Sequence, residues 1–382
     1  MNLKKIFLLS FAFILVGCGK TSENNDDSAW RAISSTDLIE EEKNGMFVTP
    51  DSLRLDFLDF STGTAIPLCD DATCTHQSSE TCSAYGKTNH PFLYKNKLYW
   101  FATTEIYQTE DGYQTDLIFY KSNTNGQNQQ ELFRSEGAAV NEGERFILCD
   151  GILYYLETTQ TYDQSFQENE PQISLKSYQL KSGKSKDYGV IESGFSSSAS
   201  CVGVWGNDIY ITMSYSTDNR PFMERLASYA EEQGIDTDNA VDAMDDDFML
   251  KFASEFAYEY RTLNLENDSI STISVIPYLL SGKYYYTLED GVLSYTDTEG
   301  NENIIDTEPV ASAIMSGSYC IITSKEKNRF LWNEDTGDLY KCNPEDESVT
   351  AAYGDYVVLR QDGINLSQPY TVERIQDWAV LQ

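Results

Sequence analysis

Short stretches rich in tyrosine and aliphatic residues recur along this chain, each broken by a turn containing Gly or Asn, and this pattern limits its folds most severely. The first stretches read "FLYKNKLYWFAT", "RFILCDGILYYLE", "VGVWGNDIYITMS", "YLLSGKYYYTLE", "SGSYCIITS" and "AAYGDYVVLR". Second stretches with their turns read "DLIFYKSNTNGQ", "LKSYQLKSGK", "YRTLNLENDS", "VLSYTDTEGN" and "LWNEDTGDLYK", and "MFVTPDSLRLDFLDFSTGT" opens the series. Alternating β-branched and aromatic residues between such turns predict antiparallel hairpins. Repeats of hairpins predict an all-β fold, a β-propeller. Each unit is read as a first strand, a second strand and a polar turn. Units centred near residues 46, 92, 146, 202, 278, 315 and 353 give seven blades, with six or eight left open by boundaries that shift a few residues. On this plan Tyr154, Tyr155, Tyr284, Tyr285 and Tyr286 pack between strands rather than stack on a ligand.

The fourth unit is interrupted. Near residues 217–252 the apolar period changes from two to about 3.6. Phe222, Leu226 and Ala230 share one helical face after Pro221, and Val241, Met244, Phe248 and Phe252 share another. A two-helix insertion is expected. Its acidic run from Asp236 resembles a calcium loop but carries Val241 where Gly is needed and Asp247 where Glu is needed, so it reads as a solvated cap.

The amino terminus gives the address. Lys4 and Lys5 precede an apolar run from Ile6 to Val16, too short to span about 30 Å of hydrocarbon as a helix but suited to a secretory signal. The closing Leu15-Val16-Gly17-Cys18 resembles the lipobox of bacterial lipoproteins. That resemblance implies cleavage before Cys18 and acylation of Cys18. Residues 1–17 are then the signal, 18–28 the lipidated cysteine with a polar tether, and 29–382 the propeller domain. The expected location is extracytoplasmic, anchored by lipid to the bacterial cell membrane.

Charge argues against polyanionic partners. Losing Lys4 and Lys5 with the signal takes the formal net charge from −34 to −36. No cluster of basic residues offsets this along the sequence, so the chain is expected to be repelled by nucleic acid and by anionic lipid or wall polymer, and nucleic acid is not an expected partner.

"PLCDDATCTHQSSETCSAY" places Cys69, Cys74, His76 and Cys82 within fourteen residues. Three thiolates and an imidazole suit tetrahedral zinc, with all four positions filled by protein, which makes the expected site structural. Asp70 and Asp71 are close enough in sequence to tune or replace a ligand. A Cys74–Cys82 disulfide is the alternative, leaving a third cysteine to pair with Cys149, Cys201, Cys320 or Cys342. The first three of these sit in strand-like contexts, where a thiol behaves as a small apolar group. His90 is expected in a loop before Pro91. The cysteine segment, following "DFSTGTAI" and combined with the lipobox, resembles β-propeller lipoproteins of Gram-positive gut anaerobes. That resemblance implies a cell-surface propeller lipoprotein and no particular activity, and it weighs against disulfides, which strict anaerobes use sparingly.

Three function classes follow. An anchor, a tether and a repeat platform without a catalytic constellation point to a protein that binds or scaffolds a protein, peptide or glycan through a propeller face. The alternative is a glycan hydrolase or lyase using paired carboxylates, for which the abundant acids single out no pair. A spacer in a surface complex is the third.

Overall fold

Most repeat units fold as four-strand meanders, and the first stretches, read as single strands, are strand pairs. "FLYKNKLYWFAT" lies on two strands, Asn89–Tyr94 and Lys97–Thr103, folded about Lys95 and Asn96, both at positive φ. The computed structural model describes residues 30–34, 38–42, 45–49, 54–69, 71, 73–76, 81–141, 143–235, 244–342, 347–361, 370–378 and 380–381. Cys18, Asp70 and the acidic run through 236–243 lie outside the described residues.

Seven of the sheets are antiparallel meanders in chain order. Sheet 1 comprises Leu38–Glu42, Gly45–Val48, Asp56–Asp59 and Thr64–Pro67. Sheet 2 comprises Asn89–Tyr94, Lys97–Thr103, Asp116–Asn123 and Gln130–Glu136. Sheet 3 is built on Arg145–Cys149, Ile152–Thr159, Gln172–Gln179 and Lys184–Ser193. Sheet 4 comprises Ser198–Trp205, Asp208–Ser216, Phe256–Asn264 and Ile270–Ile273. Sheet 5 runs from Leu279–Leu280 to Glu302–Ile304, and sheet 6 from Val310–Ser316 to Leu339–Lys341. Sheet 7 has three strands, Glu347–Tyr353, Tyr356–Gln361 and Tyr370–Arg374.

Side-chain alternation explains how the sheets stack. In Tyr319–Ser324, Cys320 and Ile322 join a core cluster with sheet 5, whereas Tyr319 and Ile321 join one with sheet 7. In Gly45–Val48, Met46 and Val48 pack with sheet 7 while Phe47 packs with Leu93, Leu98 and Trp100 of sheet 2. A strand apolar on both faces needs a neighbour on each side, and each large side chain so buried contributes about 2 kcal/mol. The first strands carry the contacts from sheet to sheet, and Glu347–Tyr353 of sheet 7 touches Leu38–Glu42 of sheet 1, closing a ring. Tyr154, Tyr155 and Tyr286 are buried in these seams, and Tyr284 is half-buried against Trp332.

The ring has two unlike ends. At one, termed the turn end, strands one and two and strands three and four of each sheet are joined by short turns such as Asp150–Gly151 and Gly206–Asn207. The other, the loop end, carries the long connections. Those of sheets 2 and 3 form a small extra sheet from Tyr107–Gln108, Tyr113–Gln114 and Thr161–Tyr162. That of sheet 4 holds helices α1, Phe222–Glu232, and α2, Asp246–Ser254, as the change of period anticipated. Phe222 packs edge-on against Phe248 and Phe252, and Asp245 caps α2 through the Phe248 amide. Neither helix, nor any other among the described residues, is long and apolar enough to cross a membrane.

One strand lies outside the repeat. Arg31–Ser34 pairs antiparallel with the inner edge of Arg145–Cys149, and it also touches the first strands of sheets 2 and 4. It therefore lies inside the ring. Arg31 stands opposite Leu148 and Ser34 opposite Arg145, so the chain passes from the turn end toward the loop end. Trp30 sits at the turn end between sheets 4 and 5: a methyl added at Gly203 would lie 2.5 Å from its ring and 2.8 Å from Leu280 Cβ. Gly203→Ala is expected to destabilise the fold by about 1–3 kcal/mol through overpacking. Thermal unfolding of that variant with and without Trp30→Ala checks the cause, because removing the ring should recover part of the loss. Strictly additive effects would mean that Trp30 does not fill this space.

Candidate metal centre

The segment between sheets 1 and 2 is held in place before any metal is considered. Leu55 N–H donates to the Ala84 carbonyl and Leu68 N–H to the Leu55 carbonyl, at 2.9 Å each. Arg54 grips Asp56 through two hydrogen bonds of 2.7 and 2.8 Å. The Arg54 guanidinium also reaches the His76 carbonyl at 3.4 Å, and the Tyr85 hydroxyl donates to the same oxygen at 3.2 Å. Asp71 does not point at the cluster as a ligand. Its carboxylate accepts from Thr73 N–H at 2.8 Å and from the Thr73 hydroxyl at 2.7 Å, and its carbonyl from Cys74 N–H at 3.0 Å, forming a tight turn. His76 follows at φ 54°, a left-handed conformation that swings the imidazole back over the turn.

These constraints gather Cys69, Cys74, His76 and Cys82 so that one ligand atom from each lies within 4.8 Å of all the others. His76 Nδ1 is 3.4 Å from Cys82 Sγ. Bonds of about 2.3 Å to sulfur and about 2.0 Å to nitrogen in a tetrahedron place ligand atoms about 3.5–3.8 Å apart, so the four can hold a metal with shifts of an ångström or less. Cys82 is buried and the others are half-buried. Burial pushes the Cys82 thiol up to about 11. Burial acts in the same direction on Cys69, but hydrogen bonds from Ser83 and Asp71 outweigh it and hold that thiol below its ordinary value. Lys87, itself buried, lies over the Trp100 ring at 5.0 Å beneath the cluster and donates to the Ser83 carbonyl.

All seven described cysteines carry free thiols. Cys201 and Cys320 are fully buried in strands, and burial raises both thiols strongly, as small apolar groups require. His90 departs from the loop expected for it. It lies in Asn89–Tyr94, fully buried, with its ring stacked on Phe146 at 3.9 Å. Its Nε2–H donates to the Glu144 carbonyl at 2.8 Å, and burial lowers its pKa to about 4, so the ring is neutral.

Glu144 itself was not singled out by sequence, because one acid among 61 acidic residues carries no signal. It is 3% exposed at the loop end of the first strand of sheet 3. Oε1 accepts from Asn141 at 2.8 Å, while Oε2 is buried with no hydrogen-bond partner. Burial pushes this carboxyl up to about 7. A carboxyl so enclosed meets no substrate, and it provides no second member for a carboxylate pair. Its folded pKa lies above its unfolded value, so its contribution to stability is complete below about pH 4.5 and is lost as pH rises through about 7. Glu144→Gln, neutral throughout, is therefore expected to raise the Tm by a few degrees near pH 8.5 and to leave it unchanged near pH 4.5. Thermal unfolding across pH checks this; an equal shift at both ends would remove ionisation as the cause.

Neither a protein-family model nor a curated protein sequence matches the chain. Among solved structures it is similar to an oligogalacturonate lyase in complex with manganese, at 9% identity and a TM-score of 0.39, over 90% of this chain and 92% of that one. The oligogalacturonate lyase from Vibrio parahaemolyticus gives 9% identity and a TM-score of 0.40, over 91% of this chain and 88% of that one. BamB from Moraxella catarrhalis gives 10% and 0.33, over 93% of this chain and 87% of that one. At these TM-scores the likenesses carry no argument about what the chain does.

Proposed function

We propose that the chain is a seven-bladed β-propeller lipoprotein, anchored through Cys18 on the outer side of the cell membrane, which binds a protein or peptide partner with its loop end. The observation that carries this reading is the gathering of the long connections at one end. The small extra sheet and the helix pair stand there, while the other end has short turns. Asn219, just before α1, donates to Glu170 at 2.9 Å and so joins the loop of sheet 4 to that of sheet 3. Insertions gathered on one face of a repeat fold commonly form its recognition surface.

A protein or peptide fits this surface better than a glycan. The insertion exposes Met223 and Met249 by about half, Leu250 by 69% and, on the following strand, Tyr258 by 65%. Methionine-rich apolar surface repacks around varied partner side chains. At the loop end the carboxylates of Asp218 and Glu255 converge, but both are ion-paired to the buried Arg225.

Photo-crosslinking in intact cells tests the binding reading. A crosslinker at Leu250 is expected to give discrete protein adducts, and one at Thr124 in a turn of sheet 2 to give none. Adducts equal at the two positions, or absent at both, would reject loop-end binding.

In the same reading Cys69, Cys74, His76 and Cys82 hold one structural zinc, which staples the connection between sheets 1 and 2. Metal analysis of the anaerobically purified full chain should return one zinc per chain. Cys74→Ser with His76→Ala should abolish it and lower the Tm by several degrees. A chain without metal and with every thiol reactive would overturn the zinc assignment.

A further inference from the structure

Lysines scattered in sequence converge at the turn end of sheets 2 and 3. Lys95 and Lys97 flank the first turn of sheet 2, and Lys121 lies near the end of its third strand, two residues from Asn123, which pairs with Lys97. Lys181 and Lys184 flank the outer turn of sheet 3, and Lys186 follows on its last strand. The two sheets meet here through the Tyr94 hydroxyl, which lies over Gly151, 2.5 Å from where a Cβ would stand; within sheet 3, Leu180 N–H donates to the Gly151 carbonyl at 3.0 Å and ties its first turn to its outer turn. These contacts join the lysines into one patch.

The local geometry keeps the ammonium groups outward. Lys97 Nζ donates to Asn123 Oδ1 at 2.7 Å, Lys95 lies over the Tyr94 ring at 5.1 Å, and Lys186 lies over the Tyr188 ring at 4.7 Å. Lys186 pairs with Asp268 of sheet 4 at 2.5 Å. Lys181 and Lys184 are exposed and make no ion pair among the described residues. Asp150 and Asp187 also stand here with Asp268, so six lysines against three acids leave the patch positive by about three charges on a chain whose formal net charge is −34. The absence of any basic cluster along the sequence is thus corrected by the fold.

The amino-terminal strand leaves the ring at the same end. Trp30 is twelve residues after Cys18, so the intervening chain spans about 40 Å when fully extended. A domain of this length has a radius of about 25 Å. Turning its loop end to the membrane would require the tether to cross that radius and then run down a strand height of about 25 Å, for a path of about 50 Å. Facing the membrane with the turn end requires neither.

Building on the lipoprotein reading, we propose that the turn end of sheets 2 and 3, bearing Lys95, Lys97, Lys121, Lys181, Lys184 and Lys186, rests on anionic lipid headgroups of the membrane that holds Cys18. Lysines near such a surface gain from its negative potential, whereas the acidic remainder of the chain is repelled. The contact directs the loop end away from the lipid, toward extracytoplasmic partners.

Lysine acetylation footprinting of the full, lipid-modified chain tests this. The chain is placed in vesicles of phosphatidylcholine alone and of phosphatidylcholine mixed with phosphatidylglycerol, and modification is followed by peptide mass spectrometry. In the anionic vesicles Lys95, Lys181 and Lys184 are expected to react at least about threefold more slowly, while Lys325 and Lys327 at the loop end keep their rates. The protection should vanish at about 0.5 M salt, and Lys181→Glu with Lys184→Glu should abolish it at Lys95. Equal rates in both vesicles on a chain whose Cys18 carries acyl groups would overturn the membrane contact and leave the anchor standing. Protection of Lys325 and Lys327 instead would reverse the orientation. An amino-terminal peptide without acyl groups on Cys18 would overturn the anchor, and this contact with it.

Discussion

Burial on both sides of every sheet is the constraint on which the rest of this structure depends. Once Cys320 and Ile322 need cover on one side and Tyr319 and Ile321 on the other, sheet 6 cannot be an outer layer. The same holds for sheet 1, whose Phe47 and Met46 point into different clusters. A stack in which every sheet needs two neighbours has no end, and the economical solution is to close it on itself. The closing contact, between the first strands of sheets 7 and 1, joins segments about 300 residues apart. It carries a loop-closure cost that local hairpins do not, which makes this seam the part of the fold formed against the greatest entropy.

Closure also creates the asymmetry between the ends. In a four-strand meander two connections lie at one end, whereas the middle connection and the passage to the next sheet lie at the other. Tight hairpin turns leave no room for elaboration at the first. The helix pair and the small sheet therefore stand at the second, whereas the cysteine segment reaches back along sheet 2 to the turn at Gly126. The strand Arg31–Ser34 deepens the asymmetry by filling the inside of the ring from the turn end. A ligand using the ring's interior would have to displace that strand or approach from the loop end.

The parts of this fold legible in sequence are those written over a few neighbouring residues. Gly126, Gly183 and Gly300, in the polar turns after the second stretches, mark hairpins because their positive φ favours Gly, and such signals made the hairpin repeat legible. The doubling of strands was hidden because its turns, such as Lys95–Asn96, Asp150–Gly151 and Gly206–Asn207, are two residues long and lie within what reads as one continuous stretch. The gathering of Cys69, Cys74, His76 and Cys82 was legible because the four lie within fourteen residues. His90 was placed wrongly because Pro91 signals a loop, yet an inner strand with one free edge accommodates proline. Glu144 and the lysine patch were illegible for a different reason. Each exists only after distant segments meet, residue 90 with 144 in one case and residues 95, 121 and 184 in the other.

The cysteine cluster sits at the point where these constraints compete. The connection from sheet 1 to sheet 2 spans residues 68–88, longer than the other passages between sheets, and its described part buries few large apolar side chains besides Leu68, Cys82 and Ala84. Apolar burial alone does not order a polar segment of that length. Arg54 and Tyr85 hold its backbone at the His76 carbonyl and Asp71 holds it at Thr73, but hydrogen bonds at a solvent-facing edge contribute only about 1 kcal/mol each. A four-ligand metal would supply in one step what packing does not, and at a seam adjoining sheet 1, which also closes the ring. Its chemistry would then be that of a staple: coordination saturated by protein, no open position, and an effect measured in stability rather than turnover.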